Sequence, residues 1–369
     1  MDKLPLVDLQ AQYRGIKKEV DAAIQNILDT TQFIGGAALT QFEQRFAQYC
    51  GKKKSVGVSN GTSALYVALK MLGVGKGDEV ITVPNTFIAT SEVINELGAS
   101  VKFVDVEADT ALMNPELLKK AITPKTKVIL PVHLYGQPCD MKAISDIATD
   151  KNVAIVEDAA QAHGARQNGK RVPVTDIGCF SFYPGKNLGA YGDAGAIVCG
   201  NEEFALKCER FVNHGRNPGE KYLHHTLGSN YRMDTLQAAV LDVKLKHLDS
   251  WTQKRRQTAK WYDGLLKGVK TITERKGNES VYHLYVIQSE NRQGLLEHLH
   301  KQGIQAGVHY PVPLHMQPSY AYLGLKNGSF PVAEKLCSTC VSLPLYPELT
   351  REQVEFVAEQ VMAFESSRP

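Results

Sequence analysis

No stretch of this 369-residue chain approaches the roughly 18 consecutive apolar residues that a membrane-spanning helix needs, so no membrane partner is expected. The opening Met1-Asp2-Lys3-Leu4-Pro5 has neither the basic nor the apolar part of a secretory leader, and the expected location is cytoplasmic. Cysteine is scarce: Cys50, Cys139, Cys179, Cys199, Cys208, Cys337 and Cys340 form an odd, scattered set that fits reduced thiols rather than a disulfide framework. Cys337-Ser338-Thr339-Cys340 has no second pair near it, so helix packing explains it more simply than a metal, and no metal is expected. Charge of one sign is lacking too. The formal net charge of +3 argues against a nucleic-acid binder, where a concentrated basic face is expected, and the runs Lys52–Lys54 and Lys254–Arg256 read as solvated faces. Repeats and low-complexity segments are absent.

What is there is alternation. Short β-branched runs at 55–58, 80–83, 101–104, 128–132 and 153–156 are separated by helical stretches such as 64–72 and 89–97. That order predicts an α/β fold with a mostly parallel central sheet covered by helices on both faces. Two more strands, 178–182 and 195–199, are separated by a connection too short for a helical crossover, so at least one pairing there is expected to be antiparallel. Beyond Asp234, Leu236, Val240, Leu241, Leu245 and Leu248 recur at helical spacing, predicting one long helix that runs on towards Leu265 as a bridge. A strand at 282–287, a helix at 292–302, a proline-rich crossing at 310–318 and a helix at 351–364 predict a smaller C-terminal α+β domain. The expected division is 1–245 and 246–369.

Two residues carry the chemistry. Asp158 ends the buried run Val153-Ala154-Ile155-Val156-Glu157, at the carboxyl end of a strand where open α/β sheets bind ligands. Lys186 lies in Phe180-Ser181-Phe182-Tyr183-Pro184-Gly185-Lys186-Asn187-Leu188-Gly189-Ala190, an apolar strand that breaks at Pro-Gly. A strand-end aspartate followed by such a lysine is the pairing pyridoxal phosphate requires: the amine forms an imine, and the acid keeps the ring nitrogen protonated. Asn60-Gly61-Thr62-Ser63 follows a strand and opens a helix, which suits a phosphate but also suits an ordinary N-cap. Phe87 leaves the same sheet edge and could stack on a flat ring or fill the core. The Gln161 amide could hold a phenolic oxygen; His163 could orient Asp158 or satisfy a buried carbonyl. Gly73-Val74-Gly75-Lys76-Gly77-Asp78 follows a helix and precedes a strand, the reverse of a nucleotide-binding glycine loop, and reads as a turn.

Glu157-Asp158-Ala159-Ala160-Gln161-Ala162-His163-Gly164, the lysine segment 181–189, Gly192-Asp193-Ala194-Gly195, Gly61-Thr62-Ser63 and Asn230-Tyr231-Arg232-Met233-Asp234 together resemble the DegT/DnrJ/EryC1/StrS family of pyridoxal-phosphate sugar aminotransferases, over essentially the whole chain. The resemblance implies the aspartate-aminotransferase type of fold (pyridoxal-phosphate fold type I) and a homodimer with composite active sites. It makes Lys186 the imine-forming lysine, Asp158 the pyridinium partner, Gln161 the contact to the ring hydroxyl and Phe87 the stacking ring. Gly61, Thr62, Ser63 and Ser181 would bind the cofactor phosphate and its surroundings within one subunit, and Asn230 would reach it from the other. Tyr183, His309 and Tyr310 are implied near the sugar.

The resemblance further implies an amino donor, L-glutamate, and a nucleotide-linked ketosugar acceptor, with pyridoxamine phosphate between the half-reactions. The stretch Asn187-Leu188-Gly189-Ala190-Tyr191-Gly192 after the lysine is similar to enzymes forming 3-amino sugars, and Ala162-His163-Gly164-Ala165 to those acting on dTDP-3-keto-6-deoxyhexoses. Close alternatives are UDP-linked 3-keto-hexuronates and C4 ketosugars. Of the rivals, a pyridoxamine-dependent dehydratase would replace Lys186 by histidine, and a nicotinamide enzyme would need a GxGxxG loop after its first strand. A non-catalytic regulatory protein built on a pyridoxal site would have little need of the intact set Lys186, Asp158 and Gln161.

Overall fold

The structure of the protein, a computed structural model, describes residues 3–366. The short apolar runs become β1 (Lys54–Val58), β2 (Glu79–Thr82), β3 (Ser100–Phe103), β4 (Thr126–Ile129) and β5 (Ala154–Asp158). The two-residue strands β6 (Arg166–Gln167) and β7 (Lys170–Arg171) follow, then β8 (Ile177–Ser181) and β9 (Gly195–Cys199). The central sheet has the order β1-β9-β8-β5-β4-β2-β3. The run from β8 to β3 pairs in parallel, whereas β9 is antiparallel to both β8 and β1. The short Lys186 connection forces that reversal, as expected. Because β1 and β8 both oppose β9, they point the same way, and the carboxyl ends of all strands but β9 open on one edge.

Helices α1 (Leu9–Thr30), α2 (Ala37–Tyr49), α3 (Gly61–Met71), α4 (Ala89–Glu96), α5 (Pro115–Ala121), α6 (Met141–Lys151), α7 (Glu202–Val212) and α8 (Thr235–Leu245) surround this sheet. Side chains alternate between its faces. Val80, Cys179 and Ile197 join residues of α3, α4 and α7 on one side. On the other, Ile81 packs with Leu118 and Ile144 from α5 and α6, while Phe180 and Val198 pack with Phe42, Phe46 and Leu241 from α2 and α8. Later come α9 (Leu248–Leu265), β10 (Lys270–Thr271), β11 (Asn278–Glu279), β12 (Tyr285–Gln288), α10 (Arg292–Lys301), α11 (Pro331–Thr339), β13 (Cys340–Leu343) and α12 (Arg351–Ser366). Strands β10, β12 and β13 form a second, antiparallel sheet whose core includes Tyr262, Leu295, Leu299 and Val357. Strand β11 pairs with β6.

Three expectations need correction. The single helix after Asp234 is two: α8 ends in i→i−3 bonds from Lys246 N–H to Val243 and His247 N–H to Lys244, and α9 restarts when Trp251 N–H bonds His247. Helix α8 and the first turn of α9 (Leu248, Trp251) share clusters on the central domain, whereas Ala259 and Tyr262 further along α9 join the core of the second sheet, and a local apolar period cannot show that a face changes partner. The strand at 128–132 stops at Ile129 because Pro131 brings no N–H, although Val132 still bridges to Asp158. The basic run 254–256 is not a solvated face: Arg255 is buried and its Nη1 donates to the carbonyls of Tyr282 (3.2 Å) and Leu345 (2.9 Å).

Phe46 sits at the centre of an aromatic cluster, with ring centroids of Phe42, Phe180 and Phe182 at 5.6, 5.0 and 5.2 Å. It is fully buried beneath the strand that leads to Lys186. Phe46→Ala is expected to destabilise the fold by about 3–5 kcal/mol, read as a fall in the midpoint of chemical denaturation. A loss under about 1 kcal/mol would show that the cluster collapses to fill the gap.

Candidate active site

The edge where the strands end gathers the predicted residues. After β1, Asn60 caps α3: its Oδ1 accepts from Ser63 N–H at 2.8 Å, leaving the N–H groups of Gly61 and Thr62 without intrahelical partners at the positive end of the helix. Gly61 is there because the chain passes so close to β8 that a Cβ on it would lie 2.6 Å from Ser181 Cβ. The helix start and the Ser181 hydroxyl therefore share one small space. Ser63 braces this turn, its N–H on Asn60 and its hydroxyl 2.8 Å from that of Ser59.

Asp158 closes β5 with its carboxylate buried. Oδ2 accepts from the Thr90 hydroxyl at 2.8 Å and Oδ1 from Ala160 N–H at 3.2 Å. Burial raises its pKa; the bonds from Thr90 and Ala160 and the charge of Lys186 oppose that rise without cancelling it. Thr90 is a residue that reading the sequence missed. Its signal was present as Thr86 and Thr90, one helical turn apart around Phe87, whose hydroxyls lie 3.0 Å from each other.

His163 does not orient Asp158. Its Nε2 donates to the Ser181 carbonyl at 2.9 Å, and the ring packs against Phe180 and Phe182. Lys186 keeps part of its surface accessible, yet its amine lies deep enough that burial lowers it to about 8, Asp158 pulling in the opposite direction. Among the described residues the amine has no hydrogen-bond partner. Burial and then the Lys186 charge hold His163 down at about 3 and His309 at about 4, and push His283 well below the usual range. The lysine thus stands among Asp158 and three neutral imidazoles.

Gln161 is oriented by Tyr135, whose backbone N–H donates to Oε1 at 2.7 Å, so the Nε2 end faces Tyr310 OH at 3.4 Å. Tyr135 OH also donates to the His309 carbonyl, joining 309–310 to the same wall. Phe87 is no core residue: it is 54% exposed, 5.8 Å from the Tyr310 ring, and its carbonyl accepts from Thr90 N–H. Tyr183 is tied to the site through its backbone, its N–H donating to Ser181 Oγ at 3.3 Å and its carbonyl accepting from Lys186 N–H, whereas Asn230 stands apart. Both are exposed and neither makes a side-chain hydrogen bond among the described residues; Asn230 bridges Asn213 through its backbone, next to Tyr231, whose carbonyl accepts from Ser59 N–H.

These groups fit pyridoxal phosphate. Gly61, Thr62 and Ser181 offer donors and close approach for a phosphate, Phe87 an uncovered aromatic face, Asp158 a carboxylate for a ring nitrogen, Gln161 an oriented amide, and Lys186 an amine with a depressed pKa.

The pattern of the DegT/DnrJ/EryC1/StrS aminotransferase family matches residues 14–362. A curated protein named "Pleiotropic regulatory protein" from Geobacillus stearothermophilus is 44% identical over 367 residues, covering 98% of this chain and 98% of its own. The dTDP-3-amino-3,4,6-trideoxy-alpha-D-glucose transaminase of Streptomyces venezuelae is 43% identical over 363 residues, covering 97% and 95%. Among solved structures, S. venezuelae DesV in complex with a ketimine intermediate superposes with a TM-score of 0.97 at 42% identity, over 100% of each chain.

The lowered amine can be measured directly. In cofactor-free protein, competitive acylation of Lys186 is expected to titrate with a midpoint near pH 8, as burial sets it. Asp158→Asn removes the charge that favours the ammonium form, so the midpoint should move lower still. A midpoint near that of a free lysine would show the amine in water.

Proposed function

The chain belongs to the DegT/DnrJ/EryC1/StrS aminotransferase family, and from that premise we propose that it transfers nitrogen from L-glutamate to the 3-keto group of a dTDP-linked 6-deoxyhexose. The observation that carries the reading is the pairing of a buried strand-end carboxylate, Asp158, with an amine, Lys186, whose pKa burial lowers to about 8. When bound, pyridoxal phosphate supplies an electrophilic carbon for the amino group and a ring that takes up the electron pair released at the substrate carbon. Asp158 holds the ring-nitrogen proton, and Thr90 keeps that carboxylate aimed. Lys186 Nζ, uncharged in a large fraction of molecules near pH 8, would move the proton from glutamate Cα to the electrophilic carbon of the bound cofactor in the first half-reaction and from that carbon to the sugar carbon in the second. Gly61, Thr62 and Ser181 bind the phosphate, Phe87 covers the ring face, and Gln161 donates to the ring hydroxyl. Tyr183, His309 and Tyr310 line the sugar side. Asn230, exposed on its own subunit, reaches across a two-fold interface to the phosphate held by a second copy. A purely regulatory role would have little need of Lys186, Asp158 and Gln161 together.

Purified protein is expected to be yellow, and borohydride should fix the cofactor to the wild-type chain and not to Lys186→Ala. Cofactor still fixed covalently in that variant would overturn the lysine assignment. Asp158→Asn should keep the fold and cut turnover by several orders of magnitude, whereas Phe87→Ala should weaken cofactor binding by about 1 kcal/mol. For the substrate, protein loaded with pyridoxamine phosphate is mixed with dTDP- and UDP-linked ketosugars. Return of the aldehyde absorbance with a dTDP-3-keto-6-deoxyhexose supports the reading, and a response confined to UDP-linked or 4-keto sugars moves the assignment to those. Mixing Lys186→Ala with Asn230→Ala tests the shared site: subunit exchange should restore about half the wild-type activity per heterodimer if Asn230 serves the neighbouring subunit.

A further inference from the structure

Lys244 has no part in the chemistry above, yet it is the other buried lysine whose amine burial lowers to about 8. It lies on α8, 1% exposed, and among the described residues no carboxylate pairs with it. Its Nζ donates to the Gly189 carbonyl at 2.7 Å and sits 4.3 Å from the centre of the Tyr191 ring. Two turns earlier on the same helix face, Gln237 Oε1 accepts from Tyr191 N–H at 2.8 Å. Both side chains therefore grip the loop that follows Lys186. A leucine at 244 would pack without the cost of burying an amine; what the amine adds is a donor to a turn carbonyl that lacks one.

That turn is tight. A Cβ on Gly189 would lie 2.3 Å from the Pro184 carbonyl oxygen, and one on Gly192 would lie 3.1 Å from Gln237 Nε2. Lys186 N–H bonds Tyr183 O and Ala190 N–H bonds Phe182 O, both at 2.8 Å, so the loop folds back on itself around the lysine. On its other side Asn187 Nδ2 donates to Val281 O at 2.9 Å, and Asn187 Oδ1 lies 3.2 Å from His283 Nδ1. Helix α8 supplies the opposing hold. The edge of Tyr191 is backed by Tyr13 of α1, ring centroids 6.2 Å apart.

We infer that Lys244 and Gln237 are positioning residues: a two-point clamp on α8 that fixes the Lys186 loop through Gly189 and Tyr191 and so sets where the Lys186 amine stands. The inference deepens the proposed function, since the position matters for proton transfer only if Lys186 is the base.

The test uses full-length, cofactor-free protein, with hydrogen exchange read at single amides and acylation of Lys186 followed against pH. Lys244→Met keeps the apolar stem and removes the donor; Gln237→Ala removes the second point and serves where Lys244→Met fails to fold. Expected in either variant is exchange about tenfold faster at Lys186 and Ala190 with Ile197 in β9 unchanged, and an acylation midpoint for Lys186 that rises as the loosened amine meets water. A loss of general packing would instead speed exchange at Ile197 as much as at Lys186, and that result overturns the clamp, as does wild-type exchange and midpoint in both variants. Neither readout contains cofactor. Failure of borohydride fixation in the unaltered chain would sink the proposed function and leave these readouts to decide the clamp alone.

Discussion

The crevice depends on how β5 ends. Asp158 is bonded through its backbone on both sides, its N–H to Pro131 O at 2.9 Å and its carbonyl to His133 N–H at 3.0 Å, while Ala159 N–H goes on to Cys179 O at 2.8 Å. The residue is therefore locked to β8 and to the extension of β4 at the point where the chain leaves the sheet. Glu157, one residue earlier, points to the opposite face and is buried as fully. It accepts from His133 Nε2 at 2.8 Å, from Val174 N–H and from the N–H and hydroxyl of Thr175. Cys139 N–H donates to His133 Nδ1, so the imidazole proton sits on Nε2 and is given to Glu157.

Two adjacent carboxylates thus receive opposite treatment from one strand. Burial disfavours charge on both, but the bonds from His133 and Thr175 outweigh it at Glu157 and lower its pKa, whereas the fewer donors at Asp158 leave its pKa raised. The first carboxylate is an ionised brace that ties the strand to the 172–175 turn. The second has unspent affinity for a proton, which a ring nitrogen can share. Across the crevice, burial moves Lys186 the other way, towards the free amine, and the imidazoles of His163, His283 and His309 stay neutral instead of adding positive charge. These opposed shifts suit a site that handles protons at moderate pH.

A regulatory name among the relatives and a transaminase name beside it, at similar identity, bear on function only through the site. Here the site retains an oriented carboxylate, an oriented amide, a helix start with free donors and a depressed lysine, all on the edge where parallel strands end. The loop that bears the lysine is held from α8 on one side and from Val281 and His283 on the other. Such bracing limits the travel of the amine.

Alternating apolar runs, a lysine connection too short for a crossover, and an aspartate at a strand end are local patterns, so the central sheet, its reversal at β9 and the pairing of Asp158 with Lys186 were legible in the residues themselves. The Asn60 cap was likewise local in origin, whereas the need for glycine at 61 comes from Ser181 of β8 and is not. Packing decided the rest. Whether Phe87 is buried and whether His163 serves Asp158 or the Ser181 carbonyl depend on neighbours distant in sequence. The change of core along α9 is one that a helical period does not register. Thr90 on Asp158, Arg255 on the Leu345 carbonyl and Lys244 under the lysine loop are bonds across 68, 90 and 55 positions of chain. Spacing along the sequence carries no record of such contacts, because they form only when separate elements are brought together by the cores they share.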